Sequence, residues 1–325
     1  MSSAPSPQPI RNLVFSGGGV RGVAYVGAID ALEKASVLSG VRRVAGASAG
    51  AITAGLLAAG ADAERFAQLF SELSFPAFLV DRWGIFGDVV RLFRRYGLHT
   101  GDPLVKWLRD VVARLTRESL GREQADITLA ELAREALSGA PVRRFFGVGT
   151  NLTLQIPEVF SAASTPELPL WQAMRASASF PLVFAPFTID GAIYVDGGLT
   201  WNYPIDLFDG DYRRRTKGRP IELDRGERTL GFVLGRALDD VEDVPVTSPV
   251  RIDDLSTFGH ALTSFVLDES TRLHVSKDAA QRTVMIDDLG LSAVDFDVTS
   301  AQEAQLVENG RAATYAFLER QTGAR

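Results

Sequence analysis

Arg11-Asn-Leu-Val-Phe-Ser-Gly-Gly-Gly-Val-Arg-Gly22, followed by Val41-Arg-Arg-Val-Ala-Gly-Ala-Ser-Ala-Gly50, is the part of the sequence that decides the fold. In the first segment a short apolar run breaks at Ser16 into glycines, and a helical pattern runs from about Val20 to Leu38. In the second, Val41 to Ala45 turns at Gly46 into a small-residue helix. Strand, glycine turn, helix, twice over, predicts an α/β fold on a mainly parallel central sheet flanked by helices. Further strands are expected at Arg144 to Gly149, Ile189 to Val195, Thr229 to Leu234 and Thr283 to Ile286, with a last helix at about Thr299 to Glu319 that places Leu306, Ala313 and Phe317 on an apolar stripe.

The chain of 325 residues, 46% hydrophobic and 23% charged, is long enough for a sizeable core. Met1 to Pro9 is Ser/Pro-rich and reads as part of a disordered tail over residues 1–10, neither signal peptide nor anchor. No linker demands a boundary, so residues 11–325 are expected to form one domain. Val44 to Ala61 is an uncharged run of 18 residues, the length at which a membrane span is considered. Its Gly, Ala, Ser and Thr content fits a tightly packed internal helix better. The lack of a signal and of Cys gives a cytoplasmic expectation. A net charge of −6 argues against a nucleic-acid partner.

The absence of Cys removes thiolate chemistry and Cys-based metal sites, and only His99, His260 and His274 remain as imidazoles. No metal or other cofactor is expected. Gly46-Ala-Ser-Ala-Gly50 sits where a short strand meets a helix. In that position small residues at Gly46 and Gly50 permit the tight turn that exposes a nucleophilic Ser48. An incidental Ser in a Gly/Ala turn is the competing reading. Gly17-Gly-Gly-Val-Arg-Gly22 opens the first helix and collects backbone N–H groups into an anion site. The dinucleotide reading fails because Val41 to Ala45 ends without an acidic residue, and no Lys-Ser/Thr pair follows for a P-loop. Beside an exposed Ser, such a cluster suits an oxyanion hole.

The three His fall at no motif and read as structural or solvent-exposed. Asp196 follows a strand and precedes Gly197 and Gly198, at a strand end where α/β sites are assembled. An ordinary Asp, with a pKa of about 3.9, is a poor base at neutral pH, but desolvation raises it.

GGGVRG, GASAG and DGG in this order resemble the patatin-like phospholipase family. Ala176-Ser-Ala-Ser-Phe-Pro-Leu-Val-Phe184 and Leu199-Thr-Trp-Asn-Tyr-Pro204 are similar to the family's flanking segments, so the likeness covers about Leu13 to Pro204. The resemblance implies a three-layer fold with core motifs in 13–204 and an extension over 205–325. It implies a lipid acyl hydrolase with Ser48 as nucleophile, Asp196 as base, the amides of Gly17, Gly18 and Gly19 as oxyanion hole, and Arg21 fixing the loop or meeting an anionic head group. Gly22, Gly46, Gly50, Gly197 and Gly198 support these turns. The expected substrate is a phospholipid or another acyl-ester lipid. A serine esterase or acyltransferase on another acyl donor, or a silent lipid-binding member of the fold, is the alternative. The aromatic stretch Phe66 to Phe93 is a candidate lid or channel wall, and the basic amphipathic Asp88 to Tyr96 allows transient membrane contact. Asp206 to Arg228 reads as an exposed loop.

Overall fold

The computed structural model describes residues 9–72, 97–209, 228–235, 252–253, 255–272, 277–293, 295 and 298–323. In chain order the strands and helices are β1 (Ile10–Phe15), α1 (Ala24–Lys34), β2 (Arg43–Ala47), α2 (Ala49–Ala58), α3 (Ala63–Ser71), β3 (Gly97–His99), α4 (Asp102–Leu120), α5 (Leu129–Leu137), β4 (Arg144–Asn151), β5 (Ile156–Phe160), α6 (Leu170–Ser177), β6 (Leu182–Phe184), β7 (Phe187–Ile189), β8 (Ala192–Asp196), α7 (Gly198–Trp201), β9 (Arg228–Leu234), α8 (Leu255–Arg272), α9 (Lys277–Ala280), β10 (Thr283–Ile286) and α10 (Ser300–Gly323).

The central sheet runs β10-β9-β1-β2-β4-β8-β7, with β5 also paired to β4, and β3 and β6 form a separate pair. From β10 to β4 every pairing is parallel; β5, β8 and β7 add antiparallel strands. Alternation along the central strands sends side chains to two separate cores. Leu13, Phe15 and Val44 join the core built with α1, α2 and α10, whereas Val14, Ala45, Ala47 and Val148 pack with Trp201, Tyr203, Ile205 and Phe208. Both faces are therefore covered, the arrangement a mainly parallel sheet requires.

The expected single strand from Ile189 to Val195 is instead a hairpin of β7 and β8. Asp190 (φ 49°) and Gly191 (φ 79°) take left-handed backbone and reverse the chain between them. The first helical pattern divides into a 3-10 turn at Gly19–Val23, α1, and a second 3-10 turn at Leu38–Gly40. The small-residue run Val44 to Ala61 splits into the end of β2 and the buried α2, and among the described residues no helix is long and apolar enough to cross a membrane. Of the aromatic stretch, Phe66 and Phe70 are buried core residues of α3 with stacked rings; Phe75 to Phe93, and with them Asp88 to Tyr96, lie outside the described residues. So do residues 1–8 of the expected tail, most of the expected loop (210–227), and His274.

Candidate active site

The site is built at the ends of β1, β2 and β8. Ser48 stands between β2 and α2 with φ 54° and ψ −126°, a backbone that L-residues rarely adopt. Flanking glycines make the turn possible: a Cβ on Gly46 would collide with the Gly50 carbonyl, and one on Gly50 with the carbonyls of Phe15 and Ser16. Although Ser48 holds the N-cap position of α2, its hydroxyl caps nothing. Its amide donates to Ser177 Oγ at 3.0 Å, and Ser177 Oγ in turn donates to the Val148 carbonyl at 2.5 Å.

Asp196, the last residue of β8, is completely buried. Its backbone is pinned on both sides, by its own N–H donating to the Ser179 carbonyl (2.9 Å) and by Thr150 Oγ1 donating to its carbonyl (2.8 Å). Carboxyl Oδ1 accepts the Gly198 N–H at 2.8 Å, while Oδ2 makes no aligned hydrogen bond. Burial pushes the carboxyl up to about 7, against the Ser48 hydroxyl and the Gly198 N–H, which both favour the ionised form. The Ser48 hydroxyl thus acts on the carboxyl without a hydrogen bond of ordinary length and angle to Oδ2. Such bonds are commonly long or bent outside the reacting complex.

The glycine loop corrects one expectation. The Gly17 N–H is already committed to the Asn202 carbonyl at 3.0 Å, so it does not stand free as an oxyanion donor. Among the described residues, the Gly18 and Gly19 amides donate to no acceptor. Gly19 has φ 57° and lies against the Ala293 carbonyl, which also accepts the Val20 N–H at 3.1 Å. Arg21 is buried rather than aimed at solvent: Nε donates to the Gly18 carbonyl (3.1 Å) and one terminal nitrogen to Asp288 Oδ2 (2.7 Å), so it braces the loop. Gly22 meets Ala49 at the start of α2, and Gly197 packs on the Val148 carbonyl.

Three groups that carry the site were not assigned a role by sequence reading. Asn202 is buried; its Nδ2 donates to Thr271 Oγ1 (2.7 Å) and the Leu267 carbonyl (3.4 Å), which fixes Oδ1 in the notch between Gly17 and Gly198. Ser177 and Ser179 hold the backbones of Ser48 and Asp196 together, and Ser177 O also accepts the Gly197 N–H. Both groups sit in segments whose only signal was the resemblance itself. Asp288 and Ala293 had no local signal at all. His99 lies on β3, away from the three motif turns in sequence, and among the described residues no His acts on the Asp196 carboxyl. Among the described residues no group of three or more His, Asp or Glu converges in a way that could hold a metal ion.

The sheet and its three turns define an α/β hydrolytic enzyme. The chain belongs to the patatin-like phospholipase family, whose model matches residues 13–209. It is a hydrolase acting on lipid esters. Among curated proteins it is 27% identical over 323 residues to the uncharacterized protein YqhO of Bacillus subtilis, covering 95% of this chain and 98% of that one. It is 26% identical over 212 residues to the probable lipid hydrolase 463L of Invertebrate iridescent virus 6, covering 65% and 67% respectively. Among solved structures, VipD from Legionella pneumophila shares the fold with a TM-score of 0.58 at 19% identity, over 98% of this chain and 72% of that one.

Proposed function

We propose that Ser48 and Asp196 form a catalytic dyad that cleaves fatty acyl esters of phospholipids through an acyl-enzyme. The observation that carries this reading is the fully buried Asp196 carboxyl, raised to about 7 by desolvation and acted on by the Ser48 hydroxyl. A carboxyl so tuned is matched to proton transfer near neutral pH.

In the first half-reaction Ser48 Oγ bonds to the ester carbonyl carbon as Asp196 takes the hydroxyl proton. The oxyanion is held by the Gly18 and Gly19 amides, helped by the partial positive charge at the N-terminus of α2. The carbon–alkoxy bond then breaks, and the leaving alcohol takes the proton from Asp196. In the second half-reaction Asp196 accepts a proton from water as its oxygen attacks the acyl carbon. The fatty acid departs and Ser48 recovers its proton.

On this reading residues 11–325 work as one catalytic domain, because Asp288 and Ala293 of the C-terminal part buttress the glycine loop. The test is release of fatty acid from phosphatidylcholine by wild type, Ser48→Ala and Asp196→Asn, together with labelling by a fluorophosphonate. Activity that survives in either variant rules the dyad out. A triple replacement of His99, His260 and His274 is expected to leave hydrolysis intact in the folded protein.

A further inference from the structure

Helix α8 is inverted relative to an ordinary surface helix. Its inner side holds the site: Leu267 is buried against Gly198, Ser270 Oγ accepts the Asn202 N–H at 3.1 Å, and Thr271 Oγ1 accepts from the Asn202 side chain. On the opposite side, at spacings of four and three residues, stand Phe258, Leu262 and Phe265, which are 51%, 51% and 63% exposed. Helical periodicity puts these three on one stripe, about half a turn away from Leu267. A surface helix normally turns polar residues outward. Here the outward stripe is apolar from Phe258 to Phe265 and turns charged only at Glu269, and Leu255 to Leu267 contains no Asp, Glu, Lys or Arg in a chain that is 23% charged.

We propose that this stripe of α8 is the surface by which the protein docks on lipid, and that it binds neutral or zwitterionic head-group regions through apolar insertion. The proposal rests on the lipid substrate class and deepens the reading given above. Two observations choose the occupant. Half of the 150–250 Å² that an aromatic side chain offers, taken for two phenylalanines with a smaller share for one leucine, is at most roughly 300 Å², well short of the roughly 800 Å² per partner of a stable protein interface. A second copy of the chain is therefore a poor fit, whereas a few apolar side chains dipping into a bilayer suffice for reversible contact. The helix is also continuous with the site. Docking its outer stripe sets Asn202 and the dyad turn one helix diameter, about 10 Å, from the lipid surface. The uncharged stretch Leu255 to Leu267, bounded on the same stripe by Glu269, and the net charge of −6 point away from anionic lipid.

The experiment uses the full chain with phosphatidylcholine vesicles, with and without phosphatidylserine. It compares wild type, Ser48→Ala, and the combined variant Phe258→Ser, Leu262→Ser and Phe265→Ser. The combined variant is expected to lose vesicle binding, and hydrolysis of vesicle lipid, by at least about tenfold. Its hydrolysis of a soluble short-chain ester is expected to stay within about twofold, since these side chains lie outside the site. Wild-type binding is expected to be insensitive to added salt and not raised by phosphatidylserine. Failure of wild type to bind, equal binding by the combined variant, or a parallel loss of soluble-ester hydrolysis overturns the inference. So does sedimentation showing a dimer that the combined variant dissolves. Ser48→Ala separates the two levels: it is expected to bind like wild type without hydrolysis, and hydrolysis by it would sink the dyad while leaving the binding result readable.

Discussion

The Ser48 amide donates to Ser177 Oγ at 3.0 Å, which ties the strained turn of the candidate nucleophile to the end of α6. The same short segment receives the Gly197 N–H on the Ser177 carbonyl and the Asp196 N–H on the Ser179 carbonyl. One piece of chain thus sets the relative placement of both members of the proposed dyad. Behind it, buried Arg175 donates to Ser179 Oγ at 2.6 Å and to the carbonyls of Thr100 and Ala185. Ser177→Ala leaves the Ser48 amide and the Val148 carbonyl without their side-chain partner. Buried polar groups left in that state cost about 1–3 kcal/mol. Misplacement by an ångström costs roughly a hundredfold in rate, so kcat on a soluble ester is expected to fall between about tenfold and a hundredfold with KM little changed. Steady-state kinetics and a urea transition on the same variant check both numbers.

The pH dependence follows from Asp196. As the proposed base it works ionised, so kcat/KM is expected to rise with pH, be half-maximal near its value of about 7, and level off above it. Stability moves the other way. Burial raises the folded-state pKa above the unfolded one, so this carboxyl contributes stability fully below about 3.9, and the contribution is lost as pH climbs through 7. Asp196→Asn removes the buried charge, and its Tm is expected to exceed that of wild type by ~2 °C or more at pH 8. The gap should close at pH 5. A gap of equal size at both pH values contradicts the assignment.

Much of this was legible in the chain because the motifs are local. A glycine-ringed Ser between a strand and a helix, and an Asp ahead of two glycines, report their own backbone geometry. What stayed hidden depends on contacts distant in sequence. Asp288 meets Arg21 across the fold, and no feature of Asp287-Asp288 announces it. The Gly17 amide looked like an oxyanion donor because its acceptor, the Asn202 carbonyl, comes from the far side of the Asp196 turn. The β7–β8 hairpin was read as one strand because Asp190-Gly191 lies inside an otherwise apolar run, and the β propensity of its neighbours hid the turn.

The Arg21–Asp288 pair, 2.7 Å apart and nearly inaccessible, offers a direct test of how the C-terminal part serves the loop. Removing one partner of a buried pair strands the other charge, at a typical cost of 3–5 kcal/mol. Arg21→Ala, which leaves the buried Asp288 carboxylate without the guanidinium, is expected to destabilise by about that much and to lower kcat, because Arg21 also holds the Gly18 carbonyl, and Asp288→Ala is expected to cost less. The double variant should recover part of the stability lost in Arg21→Ala, since the Asp288 carboxylate is then no longer left buried without the guanidinium. Its kcat should stay low, because the brace on the loop is still missing. Urea transitions and kinetics on the three variants separate the two effects.

Ser48, buried rather than exposed as its motif suggests, stores strain that the fold maintains to hold its hydroxyl beside the Asp196 carboxyl. At φ 54° and ψ −126° a side chain of any kind is disfavoured, and backbones of this kind cost about 1–3 kcal/mol. Ser48→Ala and Ser48→Gly are both expected to abolish hydrolysis, so they can be compared without any functional difference between them. Alanine keeps the Cβ and with it the strain, while glycine releases it at an entropic cost of roughly 0.5–1 kcal/mol in the unfolded chain. If strain dominates, Ser48→Gly is the more stable of the two by about 1 kcal/mol, and it is expected to exceed wild type as well. Equal urea midpoints for the two variants would mean that the turn is held without strain, and that the backbone at Ser48 costs the fold nothing.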